Sequence, residues 1–247
     1  MRKIILGALW LPAVLAAQGT FEFTGRVWMP EFHGRIRVER SGIGTEIDPN
    51  NDLGMGGADL PSGGMSWSRG RHRLTFLYTP IDFSGDSTVN RTILFGGRQY
   101  IIGTRVVSDL EVKHLQLGWT WQLINIGDGL VRFGPLIEAD GFLMRGRLEA
   151  PDLNFSGRES LGAGLPTVGA ALDIHPHPRL TLYAQAAGMK AGSYGHFVNS
   201  DAGVKVMVWK LFLVTAGYRT FNLHVRTTPD FANFRMGGPF FGAGFRF

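Results

Sequence analysis

The feature that most limits how this chain can fold is a two-residue alternation of apolar and polar side chains. From Phe241 to Phe247, apolar residues take the odd positions, whereas Gly242, Gly244 and Arg246 take the even ones. Successive side chains of a β-strand point to opposite faces, so this pattern predicts a strand with one apolar face. The same alternation recurs at 21–27, 115–123, 131–140, 180–186 and 204–208. Repeated in segments of about ten residues, it is typical of strands that cross a membrane in a barrel.

The composition favours an all-β protein and removes several kinds of site. Glycine accounts for 35 of the 247 residues and aromatic residues for 12%, with few long helical patterns. Because the chain has no cysteine, disulfides, thiolate zinc sites and cysteine nucleophiles are excluded. Beyond the N-terminus, no apolar run approaches the roughly 20 residues of a membrane-spanning helix.

The N-terminus has the anatomy of a secretory signal peptide. Arg2 and Lys3 precede a 14-residue apolar run that ends in small residues, and this run is short for a helical anchor. We therefore predict a signal peptide at 1–17 and one exported domain at 18–247. Without the two basic residues of the leader, the formal net charge falls from +5 to +3. No Lys/Arg cluster is present either, so we expect no nucleic-acid partner.

The pattern divides the exported domain into ten strands joined by alternately long and short connections. The predicted strands are 20–40, 62–68, 72–84, 106–123, 129–149, 164–174, 179–190, 199–208, 211–227 and 236–247. The long connections are 41–61, 85–105, 150–163, 191–198 and 228–235, and the short ones are 69–71, 124–128, 175–178 and 209–210. Alternation alone would also suit a soluble β-sandwich, but long outer loops and short periplasmic turns are typical of bacterial barrels. We predict an all-β, antiparallel transmembrane β-barrel of ten strands. A hairpin at 92–102 would make twelve if it joined the wall, and eight is the other alternative.

Three places depart from a regular barrel pattern. Pro30 interrupts the first strand, which predicts a bulge or the start of a separate hairpin. Val112 and Leu115 are out of phase, which predicts a bulge between them. Arg219 falls on the same face as Phe221, a position that would turn it to lipid at a cost of about 2–4 kcal/mol. A bulge, or a position near the membrane boundary, would have to relieve that cost.

Four tryptophans lie at or near the predicted short turns. They are Trp67, Trp119, Trp121 and Trp209. Amphipathic rings collect where lipid meets water, so this distribution predicts an aromatic girdle at the periplasmic side of the membrane.

The signal peptide, the alternating strands and the terminal Phe-Arg-Phe at 245–247 together resemble the small outer-membrane β-barrel proteins of Gram-negative-type bacteria. The stretch 47–54, followed by the strand start at 72–74, also looks like uncharacterised barrel proteins of that group. The resemblance implies an integral protein of the bacterial outer membrane, exported by its signal peptide and in contact with lipid and lipopolysaccharide. It further implies that the barrel-assembly machinery reads an assembly signal formed by Phe241, Phe245 and Phe247. We expect a monomer without cofactors.

The predicted polar face places charges of both signs inside the barrel. They are Glu22, Glu138, Asp140 and Asp173 on the acidic side and Arg26, Arg132, Lys205 and Arg246 on the basic side. This lumen charge network has two interpretations, a charged conduit for small solutes or a salt-bridged plug. Eight strands leave room only for side chains, and open channels appear at 16–18 strands, so ten strands favour the plug.

Candidate catalytic and metal-binding residues are few. An outer-membrane protease would need acidic residues and a histidine at the extracellular rim, for which the candidates are Asp82, Asp86, Asp109, Asp201 and His196. Lipid A deacylases carry a His-x-Ser pair, whereas here Ser200 follows His196 by four residues. His175 and His177 alternate with prolines, and this favours a rigid turn over a metal site. The segment 48–52 resembles the start of a calcium loop but lacks the glycine and glutamate that follow in one, so we predict a turn there and no metal.

We therefore expect a non-enzymatic integral outer-membrane protein with a structural or adhesive role, or a narrow pore for small solutes. The alternatives are a barrel enzyme that modifies lipid or peptide, and a secreted soluble β-sandwich that binds a ligand.

Overall fold

In the computed structural model, ten long antiparallel strands form one closed barrel. The structure describes residues 19–40, 43–55, 59–90, 92–95, 98–192, 195–227 and 230–247, and the predicted signal peptide lies outside these ranges. In chain order the elements are β1 (Thr20–Trp28), β2 (Glu31–Arg40), β3 (Ile43–Ile47), α1 (Pro49–Leu53), β4 (Leu60–Arg69), β5 (His72–Thr88), β6 (Ile93–Phe95), β7 (Arg98–Tyr100), β8 (Arg105–Trp121), β9 (Ile124–Ile126), β10 (Val131–Ala150), a single 3₁₀ turn (Pro151–Leu153), β11 (Phe155–His177), β12 (Leu180–Lys190), β13 (Gly195–Met207), β14 (Phe212–Thr227) and β15 (Asp230–Arg246).

The barrel wall follows the order β1-β4-β5-β8-β10-β11-β12-β13-β14-β15 and closes where β15 pairs with β1. This confirms the ten predicted strands, and a single closed sheet excludes the two packed sheets of a β-sandwich. β6 and β7 pair with each other in a separate two-stranded sheet. The hairpin predicted at 92–102 therefore exists but does not raise the strand count to twelve. In the part of the chain that the structure describes, no helix is long and apolar enough to cross a membrane.

The first predicted strand, 20–40, is two strands bent at Pro30. β15 pairs with β1 through 240–246 and with β2 through 231–237, so β2 continues the wall where β1 ends. Across the bend, the backbone N–H of Met29 still donates to the carbonyl of Pro239 at 2.9 Å. Proline has no N–H to contribute to a ladder, which explains why the break falls at this position.

The two ends of the barrel differ in their connections. At one end, which we call the short-turn end, the strands are joined by 70–71, 122–130, 178–179 and 208–211. At the other, the long-loop end, the first connections extend over 41–59, including β3 and α1, and over 89–104. The other three predicted loops are shorter than expected, at 151–154, 191–194 and 228–229. The strands that flank these three loops continue to pair closer to the long-loop end than the alternation of apolar and polar residues predicted.

A short helix, α1, packs on the barrel at the long-loop end. Its N-cap is Asp48, whose carboxylate accepts hydrogen bonds from the backbone N–H groups of Asn50 and Asn51 at 3.0 and 3.1 Å. Its last carbonyl, from Leu53, lies so close to β5 that a Cβ on Gly85 would stand 2.0 Å from it. Only glycine fits there, and this contact fixes α1 against the wall.

The alternation of apolar and polar side chains reverses along individual strands. In β14, Val214 and Tyr218 face outward and are 37% and 53% exposed, whereas Phe221 and Leu223 face inward and are 4% and 5% exposed. Thr215 also faces inward, as does Arg219, which is 2% exposed. Near the short-turn end the strand is therefore apolar outside and polar inside, and near the long-loop end it is apolar inside. The expectation that Arg219 faces lipid was wrong, because Phe221 is a core residue.

The same reversal explains the irregularity in β8. Val112 and His114 both face inward, at 9% and 1% exposure, while Leu115 and Leu117 face outward. β8 pairs without a register shift with β5 and β10 through Lys113. The bulge predicted there is absent. It is not needed, because Val112 faces the interior while Leu115 faces outward.

Candidate functional site: the barrel interior

A polar chamber occupies the interior near the short-turn end. Its volume is about 370 Å³. Eight charged side chains line it, five basic and three acidic: Arg26, Arg73, Arg132, Lys205, Arg246, Glu22, Asp173 and Asp201. Hydroxyl groups, including those of Thr75, Thr181 and Tyr183, line much of the remaining wall, together with amide and apolar side chains such as Gln185 and Leu77. This set of residues is called the chamber below.

Three acidic residues of the chamber hold four of its cations. Glu22 pairs with Lys205 and, at 2.8 Å, with Arg246. Arg26 Nη1 lies 2.7 Å from Asp201 Oδ2. The side chains of these pairs are mostly buried, and buried charges are tolerated when they are paired and hydrogen-bonded.

The fourth pair joins Arg73 to Asp173, with Nη1 to Oδ2 at 2.5 Å. Gln122 donates to the same carboxylate oxygen at 2.9 Å. Glu22 and Arg246 face each other on the neighbouring strands β1 and β15, whereas the other three pairs each join strands that are three positions apart around the wall.

Between the chamber and the long-loop end, Arg219 is the centre of a buried polar layer. Its Nη1 donates to Thr79 at 3.1 Å, and its Nη2 lies 3.3 Å from both His114 Nδ1 and Gln116 Oε1. The guanidinium also lies over the ring of Trp28, 5.1 Å from its centroid. Arg219 is 2% exposed, so these contacts surround a buried cation.

His114 and Gln116 connect Arg219 to two buried carboxylates. Nε2 of His114 lies 2.9 Å from Asp140, and Nε2 of Gln116 donates to Glu138 at 2.7 Å. Arginine can only donate hydrogen bonds, so Nδ1 of His114 accepts one from Arg219. The proton of the imidazole is therefore on Nε2, which donates a hydrogen bond to the carboxylate of Asp140. Arg219, His114, Gln116, Glu138 and Asp140 are called the Arg219 layer below.

An aromatic plug fills the interior between the Arg219 layer and the long-loop end. Its rings are at most 8% exposed and belong to Trp28, Phe32, Phe83, Phe142, Phe197, Phe221, Phe234 and Phe240. Phe142, Phe197 and Phe221 meet edge to face, with centroids 5.1–5.7 Å apart, a favourable geometry for aromatic pairs. Phe142 also stacks on His114 at 4.5 Å, so the plug rests directly on the polar layer.

The predicted lumen charges divide between two levels. Six of them line the chamber, whereas Glu138 and Asp140 belong to the Arg219 layer. Arg73, Asp201 and Arg219 were missed as members of the interior. Arg73 could have been found, because it has the inward parity of its strand. Arg219 could not have been found, because it shares a face of its strand with the apolar Phe221.

The predicted terminal aromatics and tryptophans lie on the outer surface. Phe241, Phe245 and Phe247 are 57%, 51% and 43% exposed. Trp119, Trp121 and Trp209 are 39%, 40% and 73% exposed. Trp67 is half-buried against Phe21, with centroids 6.4 Å apart. All four tryptophans are near the short-turn end, in the last residues of β4 and β8 or in the connection that follows β13.

The candidate catalytic residues do not come together. Asp82, Asp86 and Asp109 are exposed on the outer face of β5 and β8, and Asp86 pairs with Arg105. Asp201 is inside the chamber, but His196 is on the outer face. No protease-like cluster of acid and histidine exists among these positions.

The His196 and Ser200 pair also lacks the geometry of a nucleophile and its base. Both face outward from β13, and a separation of four residues places them about 13 Å apart along the strand. His196 stacks on His224 with centroids 5.4 Å apart, and the Ser200 hydroxyl bonds to Thr220 at 2.6 Å. A serine nucleophile needs its base within about 3 Å.

The candidate metal residues form turns and caps. His177 Nδ1 accepts a hydrogen bond from the backbone N–H of Arg179. Partial burial raises the pKa of Asp48, but hydrogen bonds from Asn51 and Asn50 outweigh it and hold that pKa below the ordinary value. Among the described residues, no group of three or more His, Cys, Asp or Glu side chains is placed to hold a metal.

Comparison with solved structures finds this architecture in outer-membrane proteins. The outer-membrane protease OmpT of Escherichia coli has a TM-score of 0.56 and 8% identity, over 93% of this chain and 96% of that one. Ail of Yersinia pestis has a TM-score of 0.37 and 10% identity, over 93% and 99%, and neisserial surface protein A has 0.35 and 14%, over 92% and 97%. No protein-family model matches the chain, and no curated protein matches it. The fold is that of a small outer-membrane β-barrel, and at such identities the likeness carries the fold alone.

Proposed function

We propose that this chain is a non-enzymatic integral protein of the bacterial outer membrane, with a structural or adhesive role and no open pore. The observation that carries the proposal is the filled interior. The aromatic plug and the Arg219 layer lie in series between the chamber and the long-loop end. Leu53, Met55, Ile93 and Tyr100, from the two long connections, pack on the plug at 7% exposure or less. A solute entering from the short-turn end would therefore meet buried side chains before it reached the other side.

The proposed position in the membrane is supported by the outer surface. Outward side chains are apolar from Phe23 and Phe245 up to Tyr218, which suits contact with lipid. Above Tyr218 they become polar and include His33, Arg35 and Arg235. Cationic groups at this level suit the phosphate groups of lipopolysaccharide, the lipid partner that we propose.

Enzymatic activity is not part of the proposal, because its candidate residues are scattered. The acidic residues of the Arg219 layer and His114 do lie together, but all are at most 2% exposed. A substrate could not reach them without opening the plug.

The absence of a pore is tested by planar-bilayer recordings of the purified protein. We expect negligible steady conductance, because the interior is filled by side chains. The double variant Phe197→Ala, Phe221→Ala removes two rings of the plug and should introduce a leak. This variant is the positive control, because a leak shows that protein inserted into the bilayer is detected by the recording. Reproducible ion-selective steps from the unmutated protein would refute the proposal and favour a narrow solute pore.

The location and orientation are tested by labelling, which the cysteine-free sequence makes simple. Asp152→Cys is in an exposed turn of the long-loop end and Lys210→Cys in one of the short-turn end. With the long-loop end outside, a membrane-impermeant maleimide should label Asp152→Cys on intact cells, and Lys210→Cys only after lysis. Labelling of Lys210→Cys on intact cells would reverse the proposed orientation.

A further inference from the structure

The charges of the chamber do not balance. Its five cations face three carboxylates, which leaves a surplus of two positive charges. The adjoining Arg219 layer contains one arginine and two carboxylates, which are already connected through His114 and Gln116. Uncompensated charge in a confined interior is costly, so the surplus calls for a counter-charge.

One charge of the surplus is located at Arg132, and the other arises because Lys205 and Arg246 share the single carboxylate of Glu22. Each of the other four cations has a carboxylate partner, whereas among the described residues Arg132 has none within 4 Å. Its nearest acid along the sheet is Asp173, directly opposite on β11. The carboxylate of Asp173 is taken by Arg73 and Gln122.

Unpaired polar atoms provide a second observation at the same place. Nε of Arg132 and Nδ1 of His175 are both buried and have no hydrogen-bond partner in the described structure. His175 follows Asp173 by two residues, and both His175 and Arg132 line the chamber. A buried polar atom without a partner costs about 1–3 kcal/mol. A bound group with acceptor oxygens would remove that cost at Nε of Arg132, and at Nδ1 of His175 when that nitrogen carries the proton.

We infer that the chamber binds a small, doubly charged oxyanion of the phosphate class, held by Arg132 and His175. The guanidinium of arginine matches the oxygens of phosphate in geometry and charge. Hydroxyl groups of the wall, such as that of Thr181, can donate to the remaining oxygens. The volume of the chamber is several times that of a phosphate ion, so a larger molecule with a terminal phosphate would also fit. This inference goes beyond the proposed function and does not require that the barrel be free of conductance.

The test is calorimetric titration of the purified, folded full-length barrel with inorganic phosphate at constant ionic strength. We expect saturable binding at one site, with acetate binding more weakly because it carries one charge. Arg132→Gln should weaken phosphate binding about tenfold, the loss expected for one charge-assisted hydrogen bond. Arg147→Gln, on the outer surface, is the matched control and should bind as the unmutated protein does.

A second variant tests the charge surplus without changing Arg132. Thr181→Asp adds a carboxylate to the chamber wall and should weaken phosphate binding, since it supplies one of the two missing negative charges. Folding of each variant is checked by its heat-modifiable migration on a gel. Absence of saturable binding to the unmutated protein would overturn the inference, as would equal affinities of the unmutated protein and Arg132→Gln. Equal affinity for acetate and phosphate would overturn the choice of a doubly charged ligand.

Discussion

Replacing Arg219 by methionine tests whether the buried polar layer stabilises the barrel. Methionine keeps most of the length of the side chain but removes the cation and its donors. Thr79, His114 and Gln116 would each lose a contact of 3.1–3.3 Å. The carboxylates of Glu138 and Asp140 would then be buried with no positive charge beside them.

We expect Arg219→Met to lower the free energy of unfolding by about 3–5 kcal/mol. This is the cost of removing one partner from a buried charged network, and most of it comes from the charge left behind. Arg147→Met removes an arginine that pairs with Glu149 on the exposed outer surface. That change should cost only about 0–1 kcal/mol.

The free energies are measured by urea unfolding in lipid vesicles, followed by the loss of the compact band on an unheated gel. A second comparison isolates the charge: adding Glu138→Gln to Arg219→Met removes one of the stranded carboxylates. The double variant should recover about 0.5–3 kcal/mol relative to Arg219→Met alone. If Arg219→Met and Arg147→Met cost the same, the Arg219 layer does not stabilise the barrel as argued, and the reasoning fails.

Three further predictions concern assembly and the long-loop end. Deleting Phe247 should lower the amount of protein in the outer membrane and leave aggregated precursor in the periplasm, measured by fractionation; unchanged assembly would contradict the assignment of a terminal signal. Asp48→Ala removes the N-cap of α1, a loss of about 0.5–2 kcal/mol, so hydrogen exchange of the Asn51 amide should accelerate about 2- to 30-fold. Acid should have the same effect, because the cap is complete above about pH 4 and is lost as the pH falls through the lowered pKa of Asp48. Gly85→Ala should displace α1 and expose the segment to added protease, whereas Gly63→Ala, with nothing within 4 Å of its new Cβ, should leave it resistant.

The ten strands and the closed barrel could be predicted from sequence because two independent patterns agree. Alternation marks the strands, and the connection lengths fix their number and direction. Pro30 also marked the bend in the first strand, since a residue without an N–H interrupts any ladder. What could not be predicted is where three of the loops end. Strand pairing outside the apolar band depends on the neighbouring strand, and the glycine-rich start of β11 carries no alternation of its own.

The candidate site was only half predictable, because the inward face does not have one chemistry. A polar inward face identified Glu22 and Lys205 correctly as interior residues, and they pair. When the same rule was applied to the whole of β14, it wrongly predicted that Phe221 and Arg219 face lipid. No local sequence signal marks the residue at which apolar side chains change from the outer face to the inner one.

The reversal follows from a change of solvent along each strand. In the membrane half, lipid accepts apolar side chains on the outside, and the interior can keep its ion pairs. Beyond the lipid the outside is water, so a wall of the same strands can be stabilised only by burying apolar side chains inside. β10 shows the change clearly: Ile137 is 49% exposed and Glu138 is buried, but further along Leu148 is 2% exposed and Arg147 faces water. The aromatic plug is therefore the hydrophobic core that the water-exposed half of the barrel requires, and closure of the interior follows from that requirement. Arg219 lies where the two halves meet, because there one cation can be connected to the carboxylates of the polar half through His114 and Gln116 and can also contact an aromatic ring of the apolar half.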